Sequence, residues 1–395
     1  MKIAIFSEYF EHDNNSAGRH MSDLTLEICN HADNVDVYSL FNHSEKEGIN
    51  WPKNVNIYSL EMNPLSKSKS FKRRFFSELS ISFKALLKIL KMGKLRYYDA
   101  VIWYSPTIFW APIIYIIHKK KNIKKYLILR DIFPQWAVDL EILKENSFKH
   151  KILKSFENFQ YSVADTIAIQ TEANIRYFDK NESFKDKVTI LRTWYDSQDK
   201  FIPIPKNIIN EIPIEKNLIL YAGNLGIAQD AEFLLKIVKN MKNFEKIHFL
   251  FIGLKKDQNE RISKFTDEHL LTNVTVFPSM DKDKLNSICA ISKIGIFCLD
   301  QRHTTSNVPG KFLQYISCGL PVFGLCANDD LENLIKVKKL GKTYRGNDPF
   351  EAINCMNDLI DDIENNKIKS EHLKKYVSSE LSTKSASKNI LSSFI

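Results

Sequence analysis

Short β-branched and aromatic runs alternate with longer amphipathic stretches along almost the whole chain. Residues 2–6, 35–39, 55–60, 100–104, 126–129, 166–170 and 188–191 read as strands, each a brief apolar run bounded by polar or turn-forming residues. Segments 22–31 and 148–164 carry apolar positions at helical spacing. Near-continuous apolar strands separated by helices predict parallel sheets covered on both faces.

The alternation stops over 197–217, where Pro203, Pro205 and Pro213 interrupt any period, and this stretch is expected to join two domains. It resumes with strands at 218–222, 247–252, 274–277, 294–299 and 322–325. The helices expected between and after them cover 231–241, 257–269, 282–290, 308–318 and about 348–364. A polar tail from 371 keeps Leu373, Val377 and Leu381 at helical spacing. The expected organisation is an α/β domain over 1–200, a second over 201–370, and a helical tail over 371–395 that returns to the first domain. Open α/β sheets bind ligands at the carboxyl ends of their strands, so a nucleotide-type ligand in a cleft is expected.

Composition narrows this picture. The 395 residues are 44% hydrophobic and 26% charged, which provides for sizeable cores and argues against a largely disordered chain. The net charge of +9 suits anionic partners without selecting one. Six cysteines form no C-x-x-C pair and no zinc spacing, and read as small core residues in a reducing compartment. The first apolar run is too short for a signal peptide, and Pro106 and Pro112 interrupt 101–117, so a cytoplasmic protein is expected. Glycine is scarce, 12 residues in all, so each one beside a strand carries information.

Two segments carry candidate chemistry. In Tyr221-Ala-Gly-Asn-Leu-Gly-Ile-Ala-Gln229 a strand runs into Gly223 and Gly226, with a helix start near Gln229 and Asp230. Glycines let backbone N–H groups approach an anion at a helix N-terminus, and Asn224 and Gln229 can donate to phosphate or sugar. A plain β-α turn with Asp230 as cap is the structural alternative. In Val308-Pro-Gly-Lys-Phe-Leu-Gln-Tyr315, Pro309 has the place of a first-turn proline, with Ser306 or Asn307 as cap. Lys311 then stands in the first helical turn, where a cation opposes the helix dipole and an anion would reverse the sign. Gln314 lies near the same face, within reach of a ribose hydroxyl. A solvated surface lysine is the plainer alternative.

Together these two segments resemble the carboxy-terminal half of group 1 (family 4) glycosyltransferases, in particular the fucosamine-type transferases of surface polysaccharide synthesis. Ser16-Ala-Gly-Arg-His20, Arg130-Asp-Ile-Phe-Pro134 and Arg192-Thr-Trp-Tyr-Asp196 agree with that family in outline. The resemblance implies the GT-B fold, two facing Rossmann-like domains with parallel sheets. It also implies a nucleoside-diphosphate sugar donor and a lipid-linked or growing glycan acceptor, with no cofactor and no metal. Lys311, Arg130 and Asp131 are the implied catalytic residues. Lys311 and the 223–226 loop would hold the diphosphate, Asp131 an acceptor hydroxyl and Arg130 a phosphate. Gly18, Gly223, Asn224, Gly226, Gln229, Ser306, Val308, Gly310 and Gln314 are the implied donor contacts, Gly18 as part of a loop that approaches the donor closely.

This chain departs from the family where two glutamates eight residues apart often stand; it has Ser306 and Gln314. A nucleotide-sugar epimerase of the same architecture, or a catalytically silent component of a polysaccharide assembly complex, are the alternatives. Asp281-Lys-Asp283 spells a D-x-D but opens a predicted helix, where capping is the expected use. Over 67–96, ten Lys or Arg interleave with Phe and Leu, as in a basic amphipathic helix on an anionic membrane surface. No nucleic-acid module is present, and no nucleic-acid partner is expected.

Overall fold

The computed structural model describes residues 1–10, 16–40, 50–60, 83–93, 98–105, 108, 110–118, 123–179, 182–195, 201–226, 229–302 and 308–394. The chain divides into two compact units, Met1–Trp194 with Thr383–Ile395, and Tyr195–Ser382.

The first unit holds strands β1 (Lys2–Ser7), β2 (Asn34–Ser39), β3 (Val55–Ser59), β4 (Ala100–Tyr104), β5 (Lys124–Leu129), β6 (Thr166–Ile169) and β7 (Val188–Ile190). They form a parallel sheet in the order β3-β2-β1-β4-β5-β6-β7, with Ile3 opposite both Val35 and Ala100. The second unit holds β8 (Asn217–Ala222), β9 (Ile247–Ile252), β10 (Val274–Phe277), β11 (Ile294–Cys298), β12 (Val322–Leu325) and β13 (Gly341–Tyr344), in the order β10-β9-β8-β11-β12-β13. Both units therefore reverse strand order beside their first strand, the Rossmann arrangement that places ligands at the strands' carboxyl ends.

Alternation along the strands builds two cores per unit. In β1, Ala4 and Phe6 enter one cluster while Ile3 and Ile5 enter the other. In β8, Leu218, Leu220 and Ala222 face one layer, and Ile219 and Tyr221 the opposite one. Helix Thr383–Ser392 contributes Ala386 and Ile390 to the cluster that holds Met21, Leu24 and Ile28 of helix Ser16–Ile28. Helix Ser370–Glu380 instead packs Leu373 and Val377 into the second unit.

Most expected elements recur within a residue or two, and the differences have physical causes. The helix expected from 22 begins at Ser16, because the buried stripe Met21, Leu24, Ile28 extends back through its first turn. Helix Asp329–Val337 and β13 were not anticipated; the stretch is strongly charged, and only Leu331 and Ile335 of that helix are buried. Five of the six cysteines are buried and all six are free thiols.

Candidate functional site

Two polar clusters stand at strand carboxyl ends, one in each unit. In the second unit β8 ends at Ala222, whose N–H donates to the Tyr315 hydroxyl at 2.7 Å. That bond ties helix Gly310–Ser317 to the strand end. Gly295 in β11 makes room for it, since a Cβ there would lie 2.4 Å from the Tyr315 ring. Lys311, one turn before Tyr315, is thereby carried over β8.

The Lys311 ammonium lies 3.8 Å from the centroid of the buried Tyr221 ring and donates to the Asn224 carbonyl at 3.3 Å. Among the described residues no carboxylate pairs with it. The nearby Cys298 thiol is pushed up to about 11 by burial, so no thiolate offsets the charge at neutral pH. Burial pushes the ammonium down to about 8. A cation–π contact is worth about 2 kcal/mol when desolvated, less than a full counter-ion would supply in a low-dielectric site.

The adjoining loop is shaped by its own residues and by Gly253 and Gln258 from beyond it. Gly223 has φ +99°, a conformation L side chains rarely adopt, and a Cβ there would meet nothing within 4 Å, so its outer face is open. Gly253, at the end of β9, has φ +76° and approaches the Gly223 backbone, with 3.7 Å from its ideal Cβ to the Gly223 Cα. The Gln258 side chain accepts from the Leu225 N–H at 3.1 Å and donates to the Asn224 side-chain oxygen at 2.7 Å. The Gln229 side chain accepts from the Gly226 N–H at 2.8 Å. The Tyr221 hydroxyl donates to the Asn224 carbonyl at 2.9 Å.

In the first unit, Arg130 follows β5 and is half-buried. Its Nη1 donates to the Tyr104 hydroxyl at 2.9 Å and to Nδ1 of His20. Its carbonyl accepts from Gln170 at 2.8 Å, and the Asp131 carbonyl accepts from Ser105 at 3.3 Å. Burial raises the Tyr104 hydroxyl above its usual range, keeping it protonated.

The structure thus brings Lys311, Gly223, Asn224, Gly226 and Gln229 together, and sets Arg130 and Asp131 at another strand end. Several expectations change. Helix Gly310–Ser317 starts at Gly310, with Pro309 as its N-cap and no side chain capping it, so Pro309 is not a first-turn residue. Ser306 lies outside the described residues. The Val308 side chain is buried in the core cluster that also holds Phe312 and Leu313. Gln314 does not share Lys311's neighbours; it donates to Asn286 at 3.4 Å. Gly18 sits in a helix rather than a loop, buried in its first turn. The Asn224 side-chain oxygen is taken by Gln258 and that of Gln229 by the Gly226 N–H, which leaves each amide nitrogen as the remaining donor.

Asp281 occupies an N-cap position but makes no cap bond; it pairs with Lys284 at 2.8 Å. Sequence reasoning missed Tyr221, Gly253, Gln258, Tyr104 and Gln170. Of these, Gly253 had a signal, a rare glycine directly after a strand.

This double Rossmann arrangement is the GT-B fold. Residues 206–379 match the family model described as glycosyl transferases group 1, which supports that family for the second half of the chain. Across 365 residues the chain is 20% identical to "Probable glycosyltransferase WbjE" of Pseudomonas aeruginosa, covering 91% of this chain and 89% of that protein. Among solved structures it is similar to the sucrose-phosphate synthase of Thermosynechococcus elongatus. The TM-score is 0.76 at 12% identity, covering 99% of this chain and 97% of that one. It is also similar to Anabaena HepE, solved in complex with UDP-glucose, with a TM-score of 0.69 at 13% identity over 99% and 98% of the two chains.

Proposed function

We propose that this protein is a glycosyltransferase that moves a sugar from a nucleoside diphosphate to a lipid-linked or growing glycan in surface polysaccharide synthesis. The observation that carries this reading is the Lys311 ammonium, which meets no carboxylate among the described residues and donates to the Asn224 carbonyl next to Gly223, whose outer face is open. A diphosphate there would gain a charge-assisted partner and the backbone N–H groups of the loop. As the glycosidic bond to phosphate breaks, negative charge grows on the leaving group, and a donor fixed beforehand stabilises that charge more than the ground state. Lys311 supplies this positive charge itself, so the reading is metal-independent, with retention of configuration at the transferred carbon. Asp131 orients the acceptor hydroxyl. The likeness to WbjE and to the UDP-glucose complex of HepE favours a nucleotide sugar as donor.

Location follows from the basic segment. Its residues 67–82 and 94–96 lie outside the described residues, but 83–92 are helical. Ala85 and Ile89 enter the core, while Phe83, Leu87 and Leu90 are exposed, with the exposed Lys84 and Lys91 on the same helix. An apolar stripe accompanied by lysines suits an anionic bilayer surface at the cytoplasmic face. Among the described residues no helix is long and apolar enough to cross a membrane.

A thermal-shift screen against UDP-, GDP- and dTDP-sugars tests the donor assignment. Ligand at 100 times its dissociation constant should stabilise by about 2.7 kcal/mol, and a flat response to every nucleotide sugar contradicts the assignment. Epimerisation of the donor without any acceptor would favour an epimerase instead. Flotation with liposomes should require anionic lipid and weaken in Phe83→Ser/Leu87→Ser; indifference to lipid charge contradicts the membrane assignment.

A further inference from the structure

The edge of the second sheet opposite to Lys311, where its strands begin, carries a row of exposed apolar side chains. Leu270 stands four residues before β10, and Phe244, Ile214 and Ile291 stand three residues before β9, β8 and β11. These strands are successive in the sheet, so the turns that enter them lie side by side. Backbone bonds join the turns: the Asn217 N–H donates to the Lys246 carbonyl at 2.7 Å, the Phe249 N–H to the Asn273 carbonyl at 2.8 Å, and the Lys293 N–H to the Leu218 carbonyl at 2.9 Å. Strands about 4.8 Å apart spread the row over roughly 15 Å. Leu270 is 83% exposed, Ile214 62%, and Phe244 and Ile291 39% each. Single exposed apolar residues are ordinary, but four on adjoining turns of one edge form a patch that a partner can cover.

The first unit supplies a contrast. Its corresponding edge is entered through the exposed Asp33, Asp99 and Asp165, directly before β2, β4 and β6. Asp99 accepts from the Lys2 N–H at 2.7 Å and Asp165 from the Lys125 N–H at 2.9 Å. Among the described residues no exposed large apolar side chain stands at that edge. One fold thus closes this edge with carboxylates in the first unit and with apolar side chains in the second. Leu270 is further marked by its backbone. It is the C-cap of helix Lys256–His269 with φ 52° and ψ 50°, a left-handed position where glycine or asparagine is usual. Its exposure means that burial within the chain does not offset that strain.

Charge selects the occupant. The same apolar-Glu-Lys tripeptide, Ile214–Lys216 and Phe244–Lys246, enters the two central strands β8 and β9. Glu215, Lys216, Glu245 and Lys246 form no ion pair among the described residues, while Lys293 already pairs with Glu364 at 3.4 Å. A membrane or a nucleic acid calls for a rim of one positive sign, and this rim has both signs although the whole chain carries +9. A rim of both signs finds its complement in itself, the condition for a two-fold symmetric contact.

We propose that this edge of the second unit docks a second copy of the chain, with Leu270, Phe244, Ile214 and Ile291 at the centre of a symmetric dimer and the Glu-Lys pairs at its rim. A patch of this width stands at the small end of specific interfaces, so the dimer forms in the micromolar range.

Sedimentation velocity of the full chain from about 1 to about 200 μM tests this, since that range brackets a micromolar dissociation constant. The wild-type sedimentation coefficient should climb towards that of a dimer, and Phe244→Glu/Leu270→Glu should stay monomeric throughout. Leu270→Asn suits the left-handed backbone, so its thermal midpoint in dilute, monomeric solution should not fall, while dimerisation should weaken about tenfold, the loss of one buried leucine. Glu215→Lys/Glu245→Lys and Lys216→Glu/Lys246→Glu should each be monomeric alone and pair when mixed. Circular dichroism of each variant excludes loss of fold as the cause. A wild type that stays monomeric, a dimer that survives Phe244→Glu/Leu270→Glu, or charge variants that fail to pair overturn the proposal. A monomeric wild type that binds anionic liposomes, with binding lost in Phe244→Glu/Leu270→Glu, assigns the edge to a membrane and overturns it too.

Discussion

Lys311 in the second unit and Arg130 in the first are both cations at strand carboxyl ends that pair with no carboxylate among the described residues, yet they are held in opposite ways. Lys311 rests on the Tyr221 ring and one carbonyl, and burial brings it down to about 8. Arg130 is gripped by Tyr104 and His20 and fixed at its carbonyl by Gln170. A flexible ammonium with few bonds can move to meet a ligand and change protonation as it does so. A planar guanidinium gripped on one edge keeps both charge and direction. The difference suits the two tasks that the family resemblance implies, developing charge on a leaving group and steady recognition of a phosphate.

The largest expected effect breaks the comparison on the lysine side. Lys311→Ala should lower kcat/KM for donor by roughly 10²–10³, measured by steady-state kinetics, with the thermal midpoint at pH 7 not reduced. Near-normal turnover would remove Lys311 from the diphosphate site. Next is pH. The ammonium is needed in its charged form, so kcat/KM for donor should fall about tenfold per unit above about pH 8. In the donor complex the diphosphate favours the charged form, so kcat should hold to higher pH. Recognition through Arg130 should show no such limb. Stability moves the other way. Between about pH 8 and the unperturbed lysine value near 10.4, the unfolded chain keeps a proton that the folded one has lost, so unfolding free energy should rise with pH. Lys311→Ala should flatten that rise in chemical denaturation. The smallest effect is indirect. Gly295→Ala places a Cβ against the Tyr315 ring and should cost roughly 1–3 kcal/mol in denaturation, with weaker donor binding as the helix carrying Lys311 shifts.

The two regions were not equally legible in the sequence. The glycines after β8 and the lysine in a first helical turn are local signals: a rare residue type next to a strand, and a charge set against a dipole. They led to the loop and to Lys311. What holds them comes from elsewhere in the chain. Gln258 closes the loop from 33 residues away, and Tyr315 docks its helix on Ala222 from 93. Such partners follow from strand order, which periodicity does not specify. Arg130 was visible as a charge after a strand, but His20 lies 110 residues away, and only the pairing of β4 with β5 brings Tyr104 alongside. The neighbours of Val308 and Gln314 were hidden for a related reason. Helical spacing places residues on a face but does not say which neighbour that face meets, and here it meets the core and Asn286.

The central claim is that Lys311 meets the donor's diphosphate, and proton uptake on binding tests it most directly. Calorimetric titration of the nucleotide sugar at pH 8, repeated in buffers of differing ionisation enthalpy, should show uptake of about half a proton per site, because a half-protonated ammonium becomes fully charged. Lys311→Met should abolish the uptake and weaken binding at least tenfold. Donor binding with no uptake, and with the same affinity in the variant, would contradict the account.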